Sequence, residues 1–354
     1  MKKIIFINSL IFIFLLFLIE IFFGYWFDPN NFGILMKKQR LHKSEYKVKF
    51  EGKEYQHFYK RNFYGFRGDD VDPKFKKIIF IGGSTGNQRF TPEEFTIVGQ
   101  LNTKLRNNDI DQRIFNASMD GKSTFGIIND FKFWFPKLEE FQPKLFIFYI
   151  GLNDKFYRGN CKLDDKKKFD SNDCQISFDL KNRVIDYVKN NSITYYLLKK
   201  VKYKYFDSEI KLRYDFFGYE NSDKLYENFN YIDYKKASKI HNSKLKSEQE
   251  IFIEIELKKR LKKISEFVEK YNSEAIYITQ VQHDGLSNRP LYFANEAIKE
   301  FSRENGYILI PLDEIAKMQK GDFYDPWHTT IAGSSKITSY IGDVIINKIL
   351  NTSF

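Results

Sequence analysis

Ile78-Ile79-Phe80-Ile81-Gly82-Gly83-Ser84-Thr85-Gly86 is the stretch on which the reading of this chain turns. Four apolar, mostly β-branched residues fit a fully buried strand of a parallel sheet, where covered faces remove the polar alternation. The run ends at a serine among glycines, which let a chain turn sharply through backbone conformations other residues avoid. A serine on such a turn, at the carboxyl end of a central strand, stands where open α/β sheets place their chemistry. Taken alone, the segment reads as a strand followed by an ordinary Gly/Ser loop. More requires a base, an orienting acid and oxyanion donors elsewhere.

Outward from this stretch, strand and helix alternate. Thr91-Pro92-Glu93-Glu94 has threonine as cap, proline at the first helical position and Glu94 closing a capping box, which predicts a helix to about Asn107. Residues 113–116 read as a second strand ending at Asn116-Ala117-Ser118-Met119-Asp120-Gly121, with a helix to about Leu138. Residues 144–150 are a third strand, closing on Gly151-Leu152-Asn153-Asp154. Ser247 and Glu250 form another capping box, and Leu257, Leu261, Ile264 and Val268 line one helical stripe. Residues 275–279 and 307–310 are strands four and five, with a helix over 293–304 between them. Asp325-Pro326-Trp327-His328 precedes a final helix over 330–350. Five strands with intervening helices predict a three-layer α/β/α fold around a doubly wound, five-stranded parallel sheet.

The remainder of the 354 residues surrounds that unit. Residues 4–23 carry one charge, Glu20, and about 20 apolar residues span a hydrocarbon core of roughly 30 Å. Tyr25, Trp26 and Phe27 follow as an interfacial aromatic belt. A cleaved signal peptide would have a shorter apolar region ending in small residues, so residues 1–27 read as an uncleaved transmembrane anchor. No cysteine lies near it to carry a lipid. Lys2 and Lys3 favour a cytoplasmic N-terminus, whereas Lys37, Lys38, Arg40 and Lys43 argue the reverse. Large domains translocate largely regardless of charge, which places the body outside the cytoplasm, on the periplasmic or extracellular side.

Residues 28–75 read as a polar, basic connector without clear periodicity, packing onto the body near residues 62–68. The α/β domain then covers 76–354. Residues 155–246 interrupt it as a partly helical, aromatic-rich insertion, too long for an ordinary connection. Cys161 and Cys174, the only cysteines, lie in that insertion and fit one disulfide or two free thiols equally. The net charge of +11 accompanies abundant Lys, Asn, Ile, Phe and Tyr, and no arginine-rich tract or zinc-finger spacing supports nucleic-acid binding. His283 has no further ligand spacing around it, so no metal is expected.

Three loops follow strands one to three, and a fourth lies between strand five and the last helix. In a doubly wound sheet they share one edge. They carry Ser84, Gly121, Asn153 and the pair Asp325/His328. A serine hydroxyl needs a base, His328 can serve if its other ring nitrogen is held, and Asp325 is the nearest acceptor. Backbone N–H groups of Ser84 and Gly121 and the Asn153 amide would receive an oxyanion. Each residue alone has a plain structural reading as a cap or a turn residue.

In this order the four blocks resemble the SGNH (GDSL-type) hydrolases, across roughly residues 62–350 apart from the insertion. Gly82-Gly83-Ser84-Thr85 is similar to the nucleophile block, with Gly83 where the GDSL form has aspartate. Gly121 takes the place of the second block's glycine. Gly151-Leu152-Asn153-Asp154 and Asp325-Pro326-Trp327-His328 resemble the Gly-x-Asn-Asp and Asp-x-x-His blocks. The resemblance implies a serine esterase with Ser84 as nucleophile, His328 as base and Asp325 as orienter, needing no cofactor. Members with an anchor and a Gly-Phe-Arg-Gly segment before the first block look like those associated with surface polysaccharides, which implies an O-acetylated glycan as substrate. An O-acetyltransferase on the same triad and a catalytically silent glycan-binding protein are the alternatives. Gly82-x-Ser84-x-Gly86 also satisfies the α/β-hydrolase nucleophile elbow, although there the acid and histidine come from separate loops.

Overall fold

The computed structural model describes residues 2–24, 26–27, 43–50, 53–69, 78–154, 188, 191–195, 197–198 and 230–351. Strands β1 (Lys43–Phe50) and β2 (Lys53–Lys60) form an antiparallel hairpin. Strands β3 (Ile78–Gly82), β4 (Ile114–Asn116), β5 (Leu145–Tyr149), β6 (Glu274–Ile278) and β7 (Ile308–Ile310) form one parallel sheet in the order β4-β3-β5-β6-β7. The expected five-stranded parallel sheet is therefore present. Its order reverses between β3 and β5, so the crevice beyond their carboxyl ends is the topological switch point.

The described helices are α1 (Lys2–Phe23), α2 (Ser84–Asn87), α3 (Ile97–Asn107), α4 (Thr124–Asn129), α5 (Tyr234–Asn242), α6 (Glu248–Lys270), α7 (Arg289–Glu304), α8 (Leu312–Ile315) and α9 (Ile331–Leu350). Every residue of β3 and β5 is buried because both sheet faces are covered. Ile79, Ile81, Phe146, Phe148 and Tyr277 pack with residues of α4, α6 and α7. Ile78, Phe80, Ile147, Ile276 and Ile278 pack with α3 and α9.

Several helix starts differ from expectation. Ser247 and Glu250 make both bonds of their capping box, and the stripe from Leu257 to Val268 is buried. The Thr91–Glu94 box does not form. Glu93–Phe95 is a single 3-10 turn, and Thr96 caps α3 by accepting from the Gly99 N–H at 2.9 Å. The cap therefore moves five residues along the chain, from Thr91 to Thr96, and Glu93 bonds to Arg67 at 2.7 Å. The helix expected to reach Leu138 loses its α pattern at Asp130 and passes through a π turn and a 3-10 turn, where Pro136 supplies no N–H. α7 begins at Arg289 rather than 293, capped by Asn288 with a proline in its first turn.

Residues 28–75, read as aperiodic, hold the β1–β2 hairpin. Along β1, Lys43, Glu45 and Lys47 are exposed while Tyr46 and Val48 are buried, and Tyr59 of β2 joins them against Tyr324. The alternation is real but short, and lysines are as many as apolar residues along β1. Next, the Asn62 Oδ1 accepts the N–H groups of Tyr64 (3.1 Å) and Phe66 (2.9 Å). This turn drives Phe66 to 0% exposure beside Phe115, Trp134 and Phe141. Phe66→Ala is expected to destabilise the protein by about 3–5 kcal/mol, read from the shift in denaturant midpoint.

α1 carries no buried residue, and Lys3–Phe23 is long and apolar enough to cross a membrane or to act as a signal sequence. Most of the expected insertion, with Cys161 and Cys174, lies outside the described residues. α5, at its end, packs on α7: Tyr234 stacks on Tyr292 at 6.1 Å, and a His241 ring nitrogen bonds to the Leu286 carbonyl at 2.8 Å.

Candidate active site

Ser84 is the first residue of α2, directly beyond β3. Gly82, Gly83 and Gly86 all lack positive φ, so the unusual backbone expected of them is absent. Their role is steric. A Cβ on Gly82 would stand 2.7 Å from the Tyr149 carbonyl oxygen, one on Gly83 2.1 Å from the Asn153 Nδ2, and one on Gly86 2.7 Å from the Ser118 Oγ. Ser84 is likewise not among the residues with positive φ. The strained elbow of the α/β-hydrolase alternative is therefore not the geometry found here.

The His328 Nε2 lies 2.8 Å from the Ser84 Oγ, and its Nδ1 lies 2.6 Å from the Asp325 Oδ2. These contacts join residues 244 positions apart into one hydrogen-bonded line. The other carboxylate oxygen, Asp325 Oδ1, accepts the N–H groups of Trp327 (2.8 Å) and His328 (2.7 Å). A carboxylate that closes its own turn in this way is fixed before it meets the imidazole. Burial on its own would raise the Asp325 pKa. The His328 hydrogen bond and charge, with the two backbone N–H groups, outweigh burial and hold it below the usual carboxylate value. The folded pKa thus lies below the unfolded value of about 3.9. The ionised group adds stability above that pH, and the contribution is lost as the pH falls through the folded value. With Nδ1–H donating to Asp325, Nε2 is left as an acceptor for the serine proton.

Asn153 sits against Gly83, and its Nδ2 donates to the Lys122 carbonyl at 2.8 Å. One amide N–H is used there, leaving the second. Gly121 is exposed, with φ +74, in the turn just before Lys122. That turn is pinned from below: Lys122 Nζ, fully buried, donates to the Ala117 carbonyl at 2.9 Å and pairs with Asp130 at 2.5 Å. The Ser84 N–H opens α2 and so has no intrahelical acceptor.

Further side chains tie the loops together, and two of them, Gln88 and Gln280, carry no local sequence signal. Gln280 Nε2 donates to Thr85 Oγ1, and its Oε1 accepts the Leu152 N–H, both at 2.7 Å. The Asp154 Oδ1 accepts from Thr124 Oγ1 at 2.7 Å. Gln88 adopts a left-handed conformation (φ 45) at the end of α2. Its amide reaches Thr329 (3.0 Å), Ser334 (2.6 Å) and the Ile97 N–H (2.7 Å), clamping the serine turn to the histidine loop. Arg67 closes the same turn, donating to the carbonyls of Asn87, of Gln88 (2.7 Å) and of Thr91 (2.7 Å). Tyr324 lies nearly parallel to the His328 ring at 5.7 Å, and burial pushes its phenol well above the ordinary range, so it remains neutral. Among the described residues no three His, Cys, Asp or Glu side chains converge as metal ligands. The assembly holds a hydroxyl against an imidazole that is itself held by a carboxylate, a set able to perform nucleophilic acyl transfer.

No protein-family model matches the chain. No curated protein matches it either. Among solved structures it is similar to TesA (11% identity, 76% of this chain and 98% of that one, TM-score 0.43). It is also similar to a member of the lipolytic G-D-S-L family from Veillonella parvula (12%, 76% and 97%, 0.41). A third is a variant of Axe2, an acetyl xylan esterase from Geobacillus stearothermophilus (12%, 77% and 94%, 0.40). At such identities and scores the functional reading rests on the geometry of the site itself.

Proposed function

We propose that the protein is a serine esterase of the SGNH type, acting on an ester of a cell-envelope glycan. The observation that carries this is the Ser84–His328–Asp325 line, at 2.8 and 2.6 Å. Ser84 attacks the ester carbonyl while His328 Nε2 takes its proton, and Asp325 stabilises the imidazolium. His328 then protonates the leaving alkoxide, and water resolves the acyl-enzyme by the same route in reverse. The Ser84 and Gly121 N–H groups and the free N–H of Asn153 receive the tetrahedral oxyanion. No metal or organic cofactor takes part.

Gly83→Ala is the sharpest test of the oxyanion assignment. Its new methyl occupies the place of the Asn153 amide, so kcat is expected to fall about 10²–10³-fold, as for loss of one oxyanion donor. Asn153→Ala should fall equally, and the double variant little further.

Trp327, 37% exposed between the acid and the base in the chain, supports a sugar substrate, since a partly exposed indole suits the apolar face of a pyranose. Trp327→Ala should raise KM for an acetylated oligosaccharide about tenfold, roughly 1.4 kcal/mol, and leave p-nitrophenyl acetate turnover unchanged. Equal effects on both esters would remove the glycan from the proposal. The same assays with an oligosaccharide acceptor separate hydrolysis from acetyl transfer. Acetylated sugar as the main product would make the enzyme a transferase.

The N-terminal helix is read as an uncleaved anchor with the body outside the cytoplasm. Its Glu20 hydrogen-bonds with Ser192, Ile193 and Thr194, which supports retention. A leader removed on export would leave those groups without their acceptor.

A further inference from the structure

Glu20, the one charge in residues 4–23 of the apolar helix, has a crowded carboxylate. It accepts from Trp26 Nε1 (2.8 Å), Ser192 Oγ (2.6 Å), and the N–H groups of Thr194 (2.9 Å) and Ile193 (3.2 Å). Ser192 Oγ also accepts the Tyr195 N–H at 2.9 Å. A carboxylate from α1 thus caps the start of another segment, satisfying donors that a new helical turn leaves open. Asn191 and Ser192 are buried. Leu16 and Leu18 of α1 are half-buried, whereas the large apolar residues of α1 before them are exposed. Partial burial is therefore confined to Leu16, Leu18 and Glu20 in this stretch, with Phe17 and Ile19 between them exposed.

The same segment shows apolar side chains to the outside. Val188, Leu197 and Leu198 are 43%, 49% and 64% exposed. They stand close in sequence to residues bonded to the end of a helix long and apolar enough to cross a membrane. In the sequence, Leu197 and Leu198 lie between tyrosines and lysines, the composition of an interfacial segment.

We propose that the residues around Ser192 form a second membrane contact, with Val188, Leu197 and Leu198 entering the interfacial layer of the leaflet from which α1 emerges, and with Glu20 holding them there. This rests on the reading of α1 as a retained anchor. Glu20 then serves as a docking acid at the membrane surface, and its charge in an otherwise apolar helix is explained by the donors it meets.

The test uses the full-length chain with Cys161→Ser and Cys174→Ser, reconstituted in phosphatidylcholine–phosphatidylglycerol vesicles. An environment-sensitive thiol probe is placed through Leu198→Cys or, as a water-exposed reference, Leu245→Cys; Leu245 is 97% exposed. A lipid spin-labelled near the headgroup is expected to quench the probe at 198 about twofold or more and to leave that at 245 unchanged. Adding Glu20→Leu should abolish most of the quenching at 198 while the protein still resists alkaline extraction. Equal quenching at 198 and 245 in extraction-resistant protein overturns the second contact alone. Release of the unsubstituted chain on extraction, or a mature protein lacking Lys2–Phe23, overturns the anchor with it.

Discussion

Ser84→Ala in the full-length, detergent-solubilised protein is expected to lower p-nitrophenyl acetate turnover about 10⁴–10⁶-fold, the range seen when a nucleophile working as part of a triad is removed. It should also abolish covalent labelling by a fluorophosphonate. The fold should not change, because Ser84 donates its side chain to His328 and to no packing cluster. An unchanged unfolding midpoint with lost turnover separates chemistry from stability. Turnover that survives at more than about one per cent would mean that another group is the nucleophile, since triad loss of that size is not compatible with Ser84 as attacker. Folded wild type that neither turns over nor labels would favour a silent glycan-binding protein.

Asp325→Asn is expected to cost about 10⁴ in kcat, with KM little altered. Asparagine can keep its oxygen toward the Trp327 and His328 N–H groups, so the turn survives. Its NH₂ then faces the His328 Nδ1, which must accept rather than donate. The imidazole proton moves to Nε2, the atom 2.8 Å from the Ser84 hydroxyl, and the base loses the lone pair it needs. Stability should also lose its dependence on this group in acid. The wild-type contribution present above about pH 4 is absent from the variant, so the difference between the two narrows as the pH falls. A full unfolding series from pH 7 to pH 3 reads that narrowing. A variant with wild-type kcat would show that Asp325 serves only its own turn.

The sheet was legible because its strands are buried on both faces and so appear as unbroken apolar runs at Ile78, Leu145 and Ala275. The members of the Ser84–His328–Asp325 line could be singled out too, because Ser84 follows a buried strand and Asp325-Pro326-Trp327-His328 precedes the last helix. What joins them was not. Gln88 and Gln280 reach partners 241 and 195 residues away, and an isolated glutamine carries no periodic or capping signal. The glycines were correctly placed and wrongly explained. Steric exclusion depends on Tyr149, Asn153 and Ser118, none of which is near them in the chain. Arg67 lies within Gly-Phe-Arg-Gly, but its bonds to the carbonyls after Ser84 join segments about 20 residues apart and leave no local pattern. The hairpin is obscure for a different reason: its apolar residues are too few for a strand signal until Phe90, Tyr324 and Ile331 provide their other side.

That last contact bears on the order of events during synthesis. Tyr46, Val48 and Tyr59 leave the ribosome about 265 residues before Tyr324, a delay of roughly 13–53 s at bacterial or eukaryotic elongation rates. A two-stranded hairpin is marginal by itself, and Phe90, 5.2 Å from Tyr46, covers part of its apolar side before Tyr324 completes the cluster. When the loop with Asp325 and His328 finally arrives, it settles on a surface prepared at the other end of the gene. The nascent chain meets its base last, which keeps Ser84 unarmed until synthesis of the body is nearly finished.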